Sequence, residues 1–330
     1  MIIDLFAGPG GLDLAARQLG VPSIGIEYDP DACDTRRAAG LATVEGDVRA
    51  YGPADFPDAD VLAGGPPCQT FTVAGSGAGR RALDTVLGLA KRRAAREDVA
   101  AELAGIGDER TGLVLEPLRW ALEAADAERP YRAIILEQVP QVPQVLPVWE
   151  LYVDLLRAEG YKAACGVVRA EEYGAPQTRR RAVLLARRDG LVGMPARTHR
   201  PWGRTLSDAE YGLRPTVVMG DALPGRGGFT VISNYGTGGD PKKRGRRHNS
   251  EPAATVTGRI NRNRLVADDG RELPRLTPAE AGALQGFPAD YPWSGRDPWQ
   301  QIGNAVPVPL GVACLTAALG VTAARIAPAA

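Results

Sequence analysis

The sequence predicts an α/β fold, a doubly wound parallel sheet accompanied by a second, smaller β-rich domain. Residues 1–190 alternate short apolar runs with amphipathic stretches, which is typical of parallel strands joined by crossover helices. From about residue 191 the chain is rich in glycine, proline and arginine, with only short β-prone pieces. At 330 residues and 44% hydrophobic content, the chain is long enough for one large domain and a smaller one.

Seven apolar runs in the first part are predicted to be strands. Between the first two, Leu12, Ala15, Ala16 and Leu19 recur at helical spacing, and Gly20 would end that helix. The predicted strands are residues 2–6, 23–27, 42–45, 60–63, 133–137, 163–168 and 182–186.

The second part is predicted to begin with β structure and to end in helices. Short β-prone pieces lie at 229–232 and 254–256, a helix is expected at 277–284, and an amphipathic stretch over 310–317 should pack back on the large domain. We therefore expect residues 1–190 and 300–330 to form the large domain. Residues 191–275 would form the small domain, and 276–299 would connect the two.

Chemically distinctive residues follow the strands of the first part. Because connections after parallel strands converge on one edge of the sheet, these residues are expected to line one pocket there. They are Gly8, Gly10 and Gly11 after the first strand, Glu27 after the second, Asp47 after the third, Cys68 after the fourth and Glu137 at the end of the fifth. Glycines at such a turn let the backbone approach a ligand, although any tight turn also favours glycine.

Cys68 is the candidate nucleophile. It follows Gly64, Gly65, Pro66 and Pro67, and this stiff turn at the end of a strand suits an exposed thiol better than a core cysteine. The alternative is a small buried hydrophobic residue. The four cysteines are far apart and only two histidines are present, so we expect neither a zinc site nor a disulfide framework.

Charge is balanced overall but unevenly distributed. The chain has 39 basic and 39 acidic residues, whereas residues 191–275 contain 15 lysines and arginines against eight aspartates and glutamates. The densest basic tract is Lys242, Lys243, Arg244, Arg246 and Arg247, followed by Arg259, Arg262 and Arg264. Such a tract favours nucleic-acid binding over a merely solvated loop. No run approaches the roughly 18 apolar residues of a membrane span, and we expect a cytoplasmic protein.

Gln177, Arg179 and Arg181 alternate just before the last predicted strand of the first part. If strand geometry begins early, their side chains share one face. Arginine forks there would suit carbonyl, carboxylate or phosphate groups, and the alternative is a solvated basic entry to the strand.

Taken together, these segments resemble the bacterial type of the cytosine-5 DNA methyltransferase family. The matching motifs, in order, are DLFAGPGG at 4–11, GGPPCQ at 64–69, EQV at 137–139, QTRRR at 177–181, RLTPAEAGALQGFP at 275–288 and QIGNAVPVPLG at 301–311. Only residues 191 to about 250 lack a counterpart. The resemblance implies a Rossmann-like methyltransferase sheet in which the small domain recognises the target sequence.

The resemblance also implies the chemistry. The Cys68 thiolate would add to carbon 6 of a flipped-out cytosine so that carbon 5 can take a methyl group from S-adenosylmethionine. Glu137 would bond ring nitrogen 3 and the exocyclic amine, while Arg181, with Arg179 nearby, would hold the base carbonyl and a phosphate. No metal is required.

The implied contacts extend to cofactor and DNA. Cofactor residues would be Phe6, Gly8, Pro9, Gly11, Glu27, Tyr28, Asp47, Val48, Pro67, Asn304 and Ala305. DNA-binding residues would be Gln69, Arg80, Arg81, Lys242, Lys243, Arg244, Arg246, Arg247, Arg259 and Arg262. The expected partners are double-stranded DNA and a cognate restriction endonuclease, with a monomeric enzyme and no membrane.

Two departures from the family pattern stand out. Residues 82–104 read as an added amphipathic helix, which would either reach the DNA backbone through Lys91, Arg92, Arg93 and Arg96 or lengthen the scaffold. Gln138 replaces the asparagine of the family's Glu-Asn-Val motif. The rival functions are an RNA cytosine methyltransferase, a catalytically silent DNA-binding regulator and, from the glycine turn alone, a nicotinamide oxidoreductase.

Overall fold

The large sheet contains seven strands, each within two residues of its predicted position. A computed structural model describes residues 1–67, 78–106, 112–139, 145–234 and 244–321, with the side chains of 78–82 and 145 outside that description. The strands are β1 Ile2–Leu5, β2 Ser23–Glu27, β3 Thr43–Glu45, β4 Val61–Gly64, β5 Ala133–Gln138, β6 Lys162–Arg169 and β7 Arg180–Arg187. Their spatial order is β3-β2-β1-β4-β5-β7-β6.

One strand runs against the predicted parallel arrangement. Strands β1 to β5 pair in parallel, but β7 is antiparallel to both β5 and β6. The prediction of a purely parallel sheet is therefore wrong for β7, because a short connection after β6 turns the chain directly back. This reversal places the start of β7 beside the end of β5, with Ala182 opposite Gln138.

Helices cover both faces of the large sheet, as a doubly wound fold requires. Alternate strand residues enter two separate cores: Ile3 and Leu5 pack in one, and Ile2 packs in the other. The helices of this region are α1 Gly11–Gln18, α2 Pro30–Ala38, α3 Ala78–Ala94, α4 Ala100–Ala104, α5 Glu116–Asp126 and α6 Val145–Ala158. The first core includes residues of α3, α5 and α6, and the second includes residues of α1.

The last helix returns to the large domain, as predicted for residues 310–317, whereas the helix before it contacts the small domain. Helix α10 spans Pro298–Asn304 and helix α11 spans Val308–Leu319, which packs on α1, β5 and β7. Residues 298–319 have the length and the mean hydropathy, 1.7, of a membrane span, so the expectation that no such stretch exists was too strict. Because the stretch is divided at Pro307 and more than half of its apolar window is buried, it is a core element of this fold.

The small domain is built on an antiparallel sheet. Its strands are β8 Phe229–Ile232, β9 Arg246–His248, β10 Arg264–Ala267 and β11 Glu272–Leu273, in the order β11-β10-β8-β9. Short helices α7 Asp208–Tyr211 and α8 Met219–Ala222 precede the sheet, and α9 Pro278–Ala283 follows it. The predicted piece at 254–256 is not a strand. That part of the chain instead bonds to Gln177 and Thr178 at the start of β7, with a single bridge between Gln177 and Ala253.

The predicted helix over 82–104 is two helices. It breaks after α3, where Arg96 adopts a φ of 63°. The arginines expected to contact DNA from this segment are engaged within the chain: Arg92 pairs with Glu97 and Glu102, Arg93 with Glu116, and Arg96 with Asp126 and Glu159. Because Val86, Leu89 and Ala90 are buried in the core, this segment is part of the scaffold.

Candidate active site

A cavity of about 510 Å³ lies at the carboxyl ends of β1, β2, β4 and β5. Ten of the eleven predicted cofactor residues line it: Phe6, Gly8, Pro9, Glu27, Tyr28, Asp47, Val48, Pro67, Asn304 and Ala305. Gly11 does not line the cavity. A side chain at Gly11 would collide with the carbonyl oxygen of Val306, so this glycine permits the close approach of α1 to the chain that follows α10.

The turn after β1 has an unusual backbone. Phe6 has a φ of 60°, Gly8 of 54° and Gly10 of 98°, all in the left-handed region that favours glycine. A non-glycine residue such as Phe6 is held there only when its surroundings determine it, as is common at functional sites. A Cβ at Gly8 would meet no atom within 4 Å, so its conformation, rather than crowding, is the reason for glycine.

Glu27 anchors this turn from β2. One carboxylate oxygen accepts the backbone N–H of Gly8 at 2.7 Å, and the other accepts those of Tyr28 and Asp29 at 2.8 Å. Burial raises the pKa of Glu27, and the three backbone donors oppose that rise. The carboxylate therefore shapes the turn and at the same time lines the cavity.

Asp47 is held by its neighbour Arg49. The Asp47 side chain caps the short helical turn Val48–Ala50, and the Arg49 guanidinium binds both of its oxygens at 2.6 to 3.0 Å. The hydrogen bond from Arg49 is the largest cause of a lowered pKa at Asp47. Arg49 also lines the cavity, and the sequence analysis did not identify it.

Asp4 is a second cavity residue that the sequence analysis missed. It is 2% exposed, and its Oδ1 has no hydrogen-bond partner among the described residues. Burial, followed by the nearby Asp13 carboxylate, raises the pKa of Asp4 well above its usual range. The available signal was an aspartate inside the apolar run of β1, where a polar residue needs an explanation.

Glu137 and Arg181 form a buried ion pair in the cavity wall. Arg181 Nε lies 2.6 Å from Glu137 Oε1, and the two residues are 6% and 8% exposed. The antiparallel direction of β7 makes this contact possible, because Arg181 near its start reaches the end of β5. Burial lowers the pKa of Arg181, and the Glu137 carboxylate opposes that effect.

Arg179 and Gln177 do not line the cavity. The Arg179 guanidinium donates to the carbonyl oxygens of Val256 at 2.6 Å, Gly303 at 2.8 Å and Ala305 at 3.3 Å. Gln177 accepts the N–H of Val256 and donates to Gln285. The structure therefore does not bring Arg179 to the base-binding position expected for it. It places Arg179 behind the turn that contains Asn304 and Ala305.

Several predicted residues lie outside the described part of the chain. These are Cys68, Gln69, Lys242 and Lys243, together with the side chains of Arg80 and Arg81. Pro67, the last described residue before Cys68, lines the cavity. Across the described ranges, no cluster of histidine, cysteine, aspartate and glutamate could hold a metal ion.

The described arginines of the small domain differ in their exposure and in whether they bond to other residues of the protein. Arg246, Arg259 and Arg262 are exposed and Arg244 is partly exposed; none of the four has an acidic partner within the described ranges. Arg247 instead donates to the carbonyl oxygen of Pro252, and Arg264 pairs with Glu272 at 2.9 Å. Some arginines of the predicted basic surface are therefore exposed without an acidic partner in the described ranges, whereas others are bound within the protein.

Comparison with known proteins identifies the family. The C-5 cytosine-specific DNA methylase family matches residues 1–91, 98–211 and 229–319. The match extends through most of 191–250, which the sequence analysis left unassigned, and it includes 82–91 and 98–104 of the segment read as an addition. The unmatched internal residues are only 92–97 and 212–228.

Individual relatives agree with this match. The chain is 30% identical to the type II methyltransferase M.NlaX of Neisseria lactamica, over 94% of this chain and 93% of that one. It is 28% identical to the type II methyltransferase M1.HphI of Haemophilus parahaemolyticus, over 96% and 86%. The S. pombe Dnmt2 methyltransferase shares the fold, with a TM-score of 0.61, 17% identity and coverage of 97% and 98%. The chain belongs to the C-5 cytosine-specific DNA methylase family.

Proposed function

We propose that this DNA cytosine-5 methyltransferase holds S-adenosylmethionine in the 510 Å³ cavity and the target cytosine against the Glu137–Arg181 pair. The observation that carries the proposal is the position of that buried pair in the same cavity wall as the predicted cofactor residues and Pro67. The carboxylate that we expect to bind the base, the residue before the expected nucleophile and the turn that we expect to bind the cofactor thus all line one cavity.

The residues around the cavity fit the cofactor. Glu27 would bind the ribose hydroxyls, Asp47 the adenine amino group, and Phe6 and Tyr28 the adenine ring. The unpartnered oxygen of Asp4 offers an acceptor for an ammonium group such as that of methionine. When bound, S-adenosylmethionine supplies a methyl group on a positively charged sulfur.

The protein side chains prepare the cytosine. We expect the Cys68 thiolate to add to carbon 6, which turns carbon 5 into a nucleophilic centre. Glu137 would bond nitrogen 3 and the exocyclic amine, and the Nε of Arg181 would fix the direction of that carboxylate. Once carbon 5 carries the methyl group, loss of the carbon 5 proton would release the Cys68 thiolate and restore the aromatic ring. Arg179 would act indirectly, by holding the turn of Asn304 and Ala305.

The small domain would contact double-stranded DNA. Arg244, Arg246, Arg259 and Arg262 support this, because none of them pairs with an acidic residue in the described part of the chain and such cations suit phosphate groups. The type II methyltransferases among the relatives further support a cytoplasmic enzyme that acts beside a cognate restriction endonuclease. We further propose that the enzyme is a monomer. Sedimentation of the purified chain and a survey of its neighbouring genes test these two points.

Sequencing of methylated cytosines in cells that express the chain tests the proposal as a whole. We expect 5-methylcytosine at one short DNA sequence, and none with a Cys68→Ser variant expressed at the same level. Purified enzyme offered duplex DNA and transfer RNA in parallel should methylate the duplex. Methylation of RNA alone would favour the RNA methyltransferase alternative, and methylation by Cys68→Ser would overturn the covalent mechanism.

A further inference from the structure

Gln138 links the ends of two neighbouring strands. Its Nε2 donates to the carbonyl oxygen of Pro66, and its Oε1 accepts the N–H of Val139 at 2.7 Å. The residue is 4% exposed and lines the cavity beside Glu137. We propose that Gln138 is a positioning residue that sets the approach to Cys68 relative to Glu137. This inference rests on the function proposed above.

The chain before Cys68 requires such a partner. Pro66 and Pro67 have no backbone N–H, so neither can donate a hydrogen bond to a neighbouring strand. Strand β4 pairs with β5 only as far as Gly64 opposite Leu136. Beyond that point, the Pro66 carbonyl receives its hydrogen bond from Gln138, the one described donor to it. The carboxamide therefore continues the connection between β4 and β5 where the backbone cannot.

The length and polarity of glutamine both matter here. The asparagine of the family motif is one methylene shorter than the side chain that spans from β5 to Pro66 in this protein. One carboxamide holds two groups in the cavity wall, since its oxygen orients Val139 while its nitrogen holds Pro66. A replacement must supply both a donor and an acceptor to keep this arrangement.

Gln138→Glu separates these two roles. An ionised carboxylate still accepts the N–H of Val139 but cannot donate to Pro66, whereas a protonated carboxyl group can do both. At pH 8 and with S-adenosylmethionine present, we expect the variant to form the covalent complex with duplex DNA containing 5-fluorocytosine about tenfold more slowly than the wild type, as one orphaned buried carbonyl predicts. Affinity for S-adenosylhomocysteine should stay within about twofold, because a local defect at Pro66 leaves the cofactor turn intact.

The pH dependence gives the decisive readout. As pH falls, the introduced carboxyl group gains a proton, so the trapping rate of Gln138→Glu relative to the wild type should rise towards one. The ratio is used because the charged side chains Asp4, Glu137 and Arg181 line the same cavity in both proteins, so their influence is common to numerator and denominator. Gln138→Asn should slow trapping at every pH without such recovery. Gln18→Glu, on the exposed end of α1, is the matched charge control and should behave as wild type.

The outcomes separate the inference from the proposed function. A ratio near one at pH 8, or a reduced ratio that does not change with pH, overturns the role of Gln138. Loss of S-adenosylhomocysteine binding in parallel with trapping also overturns it, because that result shows a general structural defect. Failure of the wild-type enzyme to trap the duplex would instead overturn the proposed function.

Discussion

The cavity of the large domain and the basic surface of the small domain both depend on arginines, but they hold them differently. Arg179 and Arg181 are buried, and their guanidinium groups are directed by named carbonyl or carboxylate oxygens. Arg246, Arg259 and Arg262 are exposed. Buried arginines act through position and exposed ones through charge, so substitutions in the two regions should differ in size and in salt dependence.

The largest effect is expected at Cys68. Cys68→Ser should lower methyl transfer to background, because a serine hydroxyl is a much weaker nucleophile than a thiolate. Binding of S-adenosylhomocysteine, measured by calorimetry, should persist, since the cofactor residues are untouched. Substantial methylation by this variant would show that Cys68 is not the nucleophile.

Arg181→Lys should lower kcat by about a hundredfold, since a lysine keeps the charge but loses the guanidinium Nε that contacts Glu137. Because the pair is buried, the loss should be the same at low and high salt. Steady-state kinetics at two salt concentrations check this. An effect that disappears at one of the two salt concentrations would mean that Arg181 acts through its charge, as the surface arginines are expected to do.

Arg179→Lys should weaken cofactor binding by about tenfold, because the carbonyl oxygens of Gly303 and Ala305 lose the donors that hold their turn. The melting temperature should also fall. In contrast to Arg181→Lys, kcat at saturating cofactor should change little. A large fall in kcat with unchanged cofactor affinity would support the contact with the base that the sequence predicted.

Asp4→Asn should weaken cofactor binding by about tenfold, since a neutral amide replaces a carboxylate acceptor. The same change should stabilise the free enzyme. The folded protein raises the pKa of Asp4, so its stability falls as pH rises from the usual aspartate range through that raised pKa. The gain in melting temperature of Asp4→Asn should therefore be largest at high pH and vanish at low pH; a gain that grows on acidification would contradict this reasoning.

The smallest effect at a single salt concentration is expected on the basic surface. The double variant Arg259→Ala and Arg262→Ala should bind duplex DNA only several-fold more weakly at low salt. The slope of the logarithm of its DNA affinity against the logarithm of the salt concentration should be shallower by about one unit for each phosphate group that the variant no longer binds. Arg264→Ala is the control, because Arg264 is already paired with Glu272. An equal change in salt dependence for Arg264→Ala would mean that the exposed Arg259 and Arg262 contribute no more to DNA binding than the paired Arg264.

Much of this site could be predicted because it follows from local patterns. Strands β1, β4 and β5 are short, largely apolar runs, and the residues after parallel strands must share one edge, so Glu27, Asp47 and Glu137 were correctly placed together. Gly11 lies outside the cavity wall where it was expected, and the close contact that requires a glycine there is with Val306, about 300 residues away in sequence. No local pattern contains that information.

The sequence by itself determined the periodicity of strands and helices, the glycine turn and the order of motifs, because these depend on neighbouring residues and backbone preferences. Tertiary structure alone decided the reversed direction of β7, the pairing of Arg181 with Glu137, and the bond from Gln138 to Pro66. These contacts join residues 44 and 72 positions apart. Their partners are selected by burial, since a polar group removed from water must find whatever complementary group the fold brings within reach.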